Sequence, residues 1–149
     1  MLIRRLTPAD VPEVLLIERE AFRTPWSEET FREELKEGGR AHYLAAVENE
    51  CMVGYAGFWQ VLDEGHIMKV ATRAGYRRQG IGERLLTALL QMGEPLGILY
   101  WTLEVRESNA AAIGLYEKIG FVSAGLRPGY YEQPKEAANI MWLKRESQK

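Results

Sequence analysis

A single cysteine, Cys51, stands in this chain of 149 residues. It has no internal partner, which excludes a disulfide-stapled fold and agrees with a reducing, cytoplasmic setting. Its expected role is packing. Only two histidines occur, His42 and His66, and neither has the spacing to Cys, Asp or Glu that a metal cluster needs, so no metal is expected. Both read as structural, with His66 a minor rival for a base. Long apolar runs are missing too: the longest, Ile98 to Leu103, is interrupted by Thr102 and is too short to cross a bilayer. Met1-Leu2-Ile3-Arg4-Arg5 lacks the basic-then-apolar order of a signal peptide. No repeat or low-complexity tract occurs. Net charge is only −2, which argues against a general nucleic-acid binder. Neither nucleic acid nor membrane is therefore expected as a direct partner. With 46% hydrophobic and 27% charged residues, the chain belongs to the globular class. Its length fits one domain, taken as residues 1–145, with a charged, frayed tail over 146–149.

Apolar periodicity and turn residues give the organisation. Met1–Leu6 reads as a strand, and Thr7-Pro8 with Asp10 as a capping-box start to a helix whose stripe is Val11, Val14, Leu15 and Phe22. A second helix opens at Ser27, with Trp26 stapled onto Phe31, and ends near Gly38-Gly39. It carries five Glu from Glu28 to Glu37 against Arg32 and Lys36, either a solvated face or one that meets a basic partner. Strands follow at about His42–Glu48, Cys51–Val61 and His66–Thr72. A helix from Gly80 to Met92 carries Ile81, Leu85, Leu89 and Met92 on one face. Gly97–Val105 has the near-continuous apolar character of a strand covered on both faces. A helix from Ser108-Asn109 to Gly120 bears Ala112, Leu115, Tyr116 and Ile119 as its stripe. Strands over about Phe121–Tyr131 and Ala137–Lys144 complete the order βααβββαβαββ. The expectation is an α/β fold: one mixed, mostly antiparallel sheet with flanking helices.

The most informative stretch is Tyr76-Arg77-Arg78-Gln79-Gly80-Ile81-Gly82. Glycine tolerates positive φ, so a Gly-x-Gly turn before a helix aims several N–H groups into one concavity. The helix adds its own unpaired N–H groups and the positive end of its dipole. That is a phosphate cradle. Five basic residues between Lys69 and Arg84, against Glu83, give it a local +4. Glu83-Arg84 stands where a P-loop needs Lys-Ser/Thr. Leu85 stands where a dinucleotide fingerprint needs a third glycine, although Glu104 lies at the distance of that fingerprint's acidic residue. A solvated basic turn is the plainer alternative.

A second motif follows: Leu103-Glu104-Val105-Arg106-Glu107-Ser108-Asn109, then Leu115-Tyr116-Glu117-Lys118-Ile119-Gly120-Phe121. Together with Arg/Gln-x-x-Gly-x-Gly, Thr24-Pro25-Trp26-Ser27, Gly129-Tyr130-Tyr131 and Ile140-Met141, it resembles the GCN5-related N-acetyltransferase superfamily, and most the RimI-type branch that acetylates ribosomal-protein N-termini. The resemblance covers nearly the whole chain. It implies acetyl-CoA as co-substrate, held by the strand backbone at Val70, Ala71 and Thr72, by the turn Arg77, Arg78, Gln79, Gly80, Ile81 and Gly82, and by Asn109. It implies Glu104 as general base and Tyr116 as general acid. Thr72 and Lys69 stand where the family usually has Val and Asn, Ala74-Gly75 replaces a Pro-acidic pair, and Ala137 replaces an Asp.

The chemistry is reasonable on the residues themselves. Acetyl transfer from a thioester to an amine needs a neutral amine, a polarised carbonyl and a protonated leaving thiolate. Glu104 on a buried strand is expected to be tuned upward by desolvation. Tyr116 is a donor at neutral pH. N–H groups on Ile67–Thr72 suit a thioester oxygen. Neutralising a lysine at pH 7 costs about 3.5 kcal/mol more than neutralising an α-amine, so a lone carboxylate suits a protein N-terminus. That acceptor, on a ribosomal protein, is the expected partner; a small amine, a lysine side chain, or a non-catalytic acyl-CoA-binding module are the alternatives. Plainer roles stand beside each residue. Tyr116 also fits core packing, Glu104 an ion pair to Arg106 or Lys118, and Asn109 a helix cap. Tyr130 and Tyr131 are either strand-end aromatics or walls of a peptide groove, and Trp26 is a staple more than a substrate wall.

Overall fold

The computed structural model describes residues 1–36, 38–132 and 134–145; the tail expected to fray at 146–149 lies outside the described residues. The strands are β1 (Leu2–Arg5), β2 (Ala41–Glu48), β3 (Cys51–Val61), β4 (Glu64–Thr72), β5 (Tyr100–Arg106), β6 (Val122–Glu132) and β7 (Lys135–Lys144). The helices are α1 (Val11–Ala21), α2 (Glu28–Glu34), α3 (Ile81–Gly93) and α4 (Ala110–Ile119), which gives the expected chain order. Their starts follow the local chemistry. Asp10 accepts the Thr7 N–H at 2.8 Å ahead of α1, and the Ser27 hydroxyl accepts the Thr30 N–H at 3.2 Å at the start of α2. Trp26 packs on Phe31 with ring centroids 5.2 Å apart. The end of α2 comes at Glu34, a turn before the expected glycines. The Glu34 carboxylate accepts from Trp59 Nε1 at 2.6 Å and the Tyr43 hydroxyl at 3.1 Å, so this acidic helix is not merely a solvated face.

The seven strands lie in the order β1-β2-β3-β4-β5-β7-β6. Every pairing is antiparallel except β4–β5. One face is covered by α3 and α4, the other by α1 and α2. The first core gathers Phe58, Trp101, Leu103 and Met141 beneath Ile81, Leu85, Leu86, Leu89 and Leu90 of α3. Those five aliphatic side chains each contribute about 1.5–3 kcal/mol on burial, and they hold α3 behind the basic turn. The second core packs Val11, Val14, Leu15 and Ile17 of α1 and Phe31 of α2 onto Tyr43, Tyr55 and Ala71.

Two irregularities of β4 shape the site. A register shift opposite Gly57/Phe58 pairs Phe58 with Ile67 and Gly57 with Lys69, leaving Met68 as a bulge. Bulges re-aim backbone groups. In addition, β4 pairs with β5 only at Glu64–Tyr100, Gly65–Trp101 and His66–Thr102. Beyond His66 the two strands part, and the β5-facing edge of Ile67–Thr72 opens into a cleft.

Two expectations need correction. The apolar run over 97–105 is not a strand covered on both faces: β5 starts at Tyr100, and its burial alternates. Trp101, Leu103 and Val105 point into the α3 core, whereas Thr102 and Glu104 point to the half-open face. The apolar character instead reflects one large anchor, Trp101. A Cβ on Gly65 would stand 2.6 Å from its ring and one on Gly93 2.4 Å from it, so both glycines leave space for the indole. Cys51, expected to pack, is exposed because it opens β3 beside the Asn49-Glu50 turn, ahead of the buried run from Met52.

Candidate active site

The basic turn forms the mouth of a cleft of ≈ 660 Å³. Arg78 and Gly80 both take left-handed backbone, φ 64° and 81°, which turns neighbouring N–H groups to one side. A non-glycine residue held at positive φ is a strained feature of the kind that collects at binding sites. The first bond within α3 runs from Arg84 N–H to Gly80 O at 3.0 Å, so the N–H groups of Ile81, Gly82 and Glu83 lie ahead of any helical acceptor. A Cβ on Gly82 would meet Leu115, Val70 and Thr72 at 3.6–3.9 Å, ordinary contact distances. The fold therefore does not demand glycine there, and Gly82 lines the cleft. These features suit a diphosphate.

Val70, Ala71, Thr72, Arg77, Arg78, Gly80, Ile81, Gly82 and Asn109 all line this cleft, and Tyr116 lies at its inner end. Gln79 is exposed and is not among the lining residues. Asn109 accepts the Ala112 N–H at 3.2 Å, so it caps α4 while facing the cleft. Tyr116 is buried and packs edge-on against Phe121 at 5.8 Å. Burial pushes its phenol up to about 12, so it remains a proton donor throughout the neutral range.

From Tyr116 the cleft continues where β4 and β5 part, through a ≈ 250 Å³ space lined by Ile67, Met68, Lys69, Val70, Glu104 and Tyr131, among others. It opens on the far side into a ≈ 410 Å³ pocket containing Trp26, His66, Glu104, Tyr130 and Tyr131. Phe22 lines all three spaces. Residues from five separate stretches of chain thus meet along one passage, with the basic turn at one end and the tyrosine pair at the other. Tyr130 and Tyr131 lie 5.0 Å apart, Tyr131 beneath the Arg106 guanidinium at 4.3 Å. Burial first, then the neighbouring Tyr130 and Glu104, push the Tyr131 phenol up to about 12.

Glu104 has a partner that its sequence neighbours did not suggest. His66 Nε2 lies 2.5 Å from Glu104 Oε2. Of the two cations expected as partners, Lys118 bonds Glu83 at 3.1 Å and Arg106 bonds Glu136 at 3.2 Å. The Glu104 side chain is 21% exposed, so the deep desolvation expected of a doubly covered strand is not its setting. His42 is structural as expected, stacked on Phe58 at 4.9 Å, and burial lowers its pKa.

A second polar group lies beside the pocket that contains Tyr130 and Tyr131. Glu18, fully buried, takes Lys69 Nζ at 2.6 Å, the Trp26 N–H at 2.7 Å and the Tyr55 hydroxyl. Lys69 Nζ also sits 4.2 Å above the rings of both Phe22 and Trp26. Burial lowers the Lys69 ammonium and its bond to Glu18 opposes that shift. The cluster ties the Phe22–Trp26 connection to β4, so Trp26 is a staple and a pocket wall at once. Its sequence signal was a carboxylate on the apolar stripe of α1: Glu18 follows Val14 and Leu15 at helical spacing. The His66–Glu104 contact had no such signal, because 38 positions separate the two. Among the described residues no group of three His, Cys, Asp or Glu is placed to hold a metal ion, and no helix is long and apolar enough to cross a membrane.

Comparison with known proteins matches residues 11–121 to the acetyltransferase (GNAT) family. The chain is 40% identical over 143 residues to the [ribosomal protein bS18]-alanine N-acetyltransferase of Escherichia coli K12, covering 95% of each protein. It is 35% identical to the protein of that name from Haemophilus influenzae, covering 94% of this chain and 96% of that one. The crystal structure of the E. coli ribosomal-protein-S18-alanine N-acetyltransferase superposes with a TM-score of 0.90 at 38% identity, covering 99% of this chain and 96% of the other.

Proposed function

Because this chain belongs to the GNAT family of acetyltransferases, we propose that it moves an acetyl group from acetyl-CoA to the N-terminal α-amine of a protein, the cytoplasmic ribosomal protein bS18. The observation that carries this reading is the continuous passage from the basic turn, along the open edge of β4, to Glu104. Relatives named for bS18 alanine acetylation, alike over nearly their whole length, support the choice of acceptor.

In this reading the N–H groups from Arg78 to Gly82 and the two arginines hold the coenzyme's diphosphate. Its pantetheine arm lies along Val70–Thr72, and backbone N–H groups at the Met68 bulge hold the thioester oxygen as negative charge develops there. Glu104 takes a proton from the α-ammonium. The amine nitrogen attacks the thioester carbon, the C–S bond breaks, and Tyr116 gives its proton to the departing sulfur and recovers one from the new amide nitrogen. Tyr130, Tyr131 and Trp26 wall the acceptor peptide.

The test is mass spectrometry of ribosomal proteins incubated with the chain and isotopically labelled acetyl-CoA. Label on the α-amine of bS18 is the expected result; label only on lysine side chains, or none, refutes the acceptor assignment. Glu104→Gln and Tyr116→Phe should each lower kcat at least about 100-fold with coenzyme affinity retained.

A further inference from the structure

The acceptor side of the passage contains a side chain with no task in that scheme. His66 and Thr102 form the last rung of the β4–β5 pairing, and Glu104 lies two residues along β5 on the same face as Thr102. Register thus brings imidazole and carboxylate together where the strands part, with Nε2 and Oε2 2.5 Å apart. The imidazole is the more exposed of the two, 36% against 21%, and both line the acceptor pocket. A carboxylate that takes a proton in every turnover must also lose it. His66 offers Glu104 a contact with a more solvent-exposed titratable group.

We propose that His66 is the proton exit of the site: its Nε2 takes the acceptor's proton from Glu104 Oε2, and the imidazole passes a proton to solvent. The proposal rests on the reading of Glu104 as base. One N–H bond of the α-ammonium breaks and its proton goes to Glu104, then to the free Nε2 of a neutral His66 protonated at Nδ1; the Nδ1 proton leaves to water, and exchange with solvent returns the ring to its starting tautomer. The second amine proton ends on the coenzyme sulfur through Tyr116. One proton is therefore released for each acetyl group transferred. His66 acts through Glu104 and is a positioning residue. The ionisable groups around the pair are Lys69 on β4, bonded to Glu18 of α1, and Arg106 on β5, bonded to Glu136 of β7. Tyr130 and Tyr131 on β6, Tyr116 on α4 and Arg23 after α1 complete them.

The experiment compares wild type, His66→Gln, His66→Ala and Glu104→Gln on an α-amine peptide, with coenzyme affinity and thermal unfolding followed in parallel. Both His66 variants are expected to keep their fold and coenzyme affinity while kcat falls about tenfold or more. The acid limb of kcat/KM should move in His66→Gln, which retains a hydrogen-bond donor but carries no proton. Imidazole added to the buffer should restore turnover to His66→Ala, whereas 1,2,4-triazole, of the same shape and far weaker basicity, should not. Unchanged kcat and acid limb in both variants overturn the proposal, as does equal rescue by triazole. A fully active Glu104→Gln would instead bring down the assignment of Glu104 itself. An inactive Glu104→Gln beside fully active His66 variants removes only the role of His66.

Discussion

Replacing Lys69 with methionine should be among the most damaging single changes in this protein, although it substitutes an apolar residue at a buried position. Glu18 is fully buried, and its carboxylate is held by the Lys69 ammonium, the Trp26 N–H and the Tyr55 hydroxyl. Methionine keeps most of the stem's volume but leaves the carboxylate with neutral donors only. Removing one member of a buried ion pair costs about 3–5 kcal/mol, and the two surviving donors place this case near 3 kcal/mol. The contacts of the ammonium with the Phe22 and Trp26 rings, both at 4.2 Å, add about 0.5–1 kcal/mol each. In a domain of this size the total corresponds to a fall in Tm of about 8–20 °C. Removing both charges, in Glu18→Gln/Lys69→Met, should recover most of the loss and end within about 1 kcal/mol of wild type, because the desolvation penalty disappears with the pair. Denaturant unfolding of wild type, both single variants and the double variant measures the coupling directly. If Lys69→Met lies within 1 kcal/mol of wild type, or the double variant is as unstable as the single, the reasoning about this cluster is wrong.

Gly82→Ala should leave unfolding free energy unchanged or raise it by up to about 1 kcal/mol, since alanine favours the helix and its Cβ meets nothing closer than 3.6 Å. Coenzyme affinity, read by calorimetry, should nevertheless fall at least tenfold; unchanged affinity would place the diphosphate elsewhere. Asp10 is held at about 2 by the Arg4 guanidinium first, and then by the Thr7 N–H and hydroxyl. A depressed folded-state value stabilises above the unfolded value, near 3.9, and that stability is lost as pH falls towards 2. Asp10→Asn should therefore cost about 1–2 kcal/mol at pH 7, a figure reduced for the half-open Arg4, and the gap to wild type should close in acid. A gap that persists unchanged at pH 2.5 would show that the aspartate acts through packing instead of charge.

Element order was legible because each boundary carries local chemistry: the Ser27 cap, the Gly80 turn, the Asn109 cap. The left-handed basic turn was legible for the same reason, since its glycines and arginines are contiguous. What lay beyond the sequence were contacts made by register. The bulge at Met68 and the parting of β4 from β5 after His66 depend on how three strands pair, and no residue in any one of them announces it. Sequence proximity points from Glu104 to Arg106 and Lys118, whereas its partner, His66, lies on β4. The apolar run around Trp101 was misjudged because hydrophobic content does not reveal that one large ring, seated between two glycines, fills a single face. Glu18 is a local signal of another kind: its place on the α1 stripe marks a buried charge in need of partners.

The proposed acetyl transfer depends on a diphosphate at the basic turn directing a thioester along β4 to the point where that strand leaves β5. A crystal structure of the protein with coenzyme A tests this directly. The predicted result has the diphosphate on the N–H groups between Arg78 and Gly82, the pantetheine beside Val70–Thr72, and the sulfur between Tyr116 and Glu104. Coenzyme bound anywhere else, or a sulfur that stops short of the opening between the two strands, would contradict it.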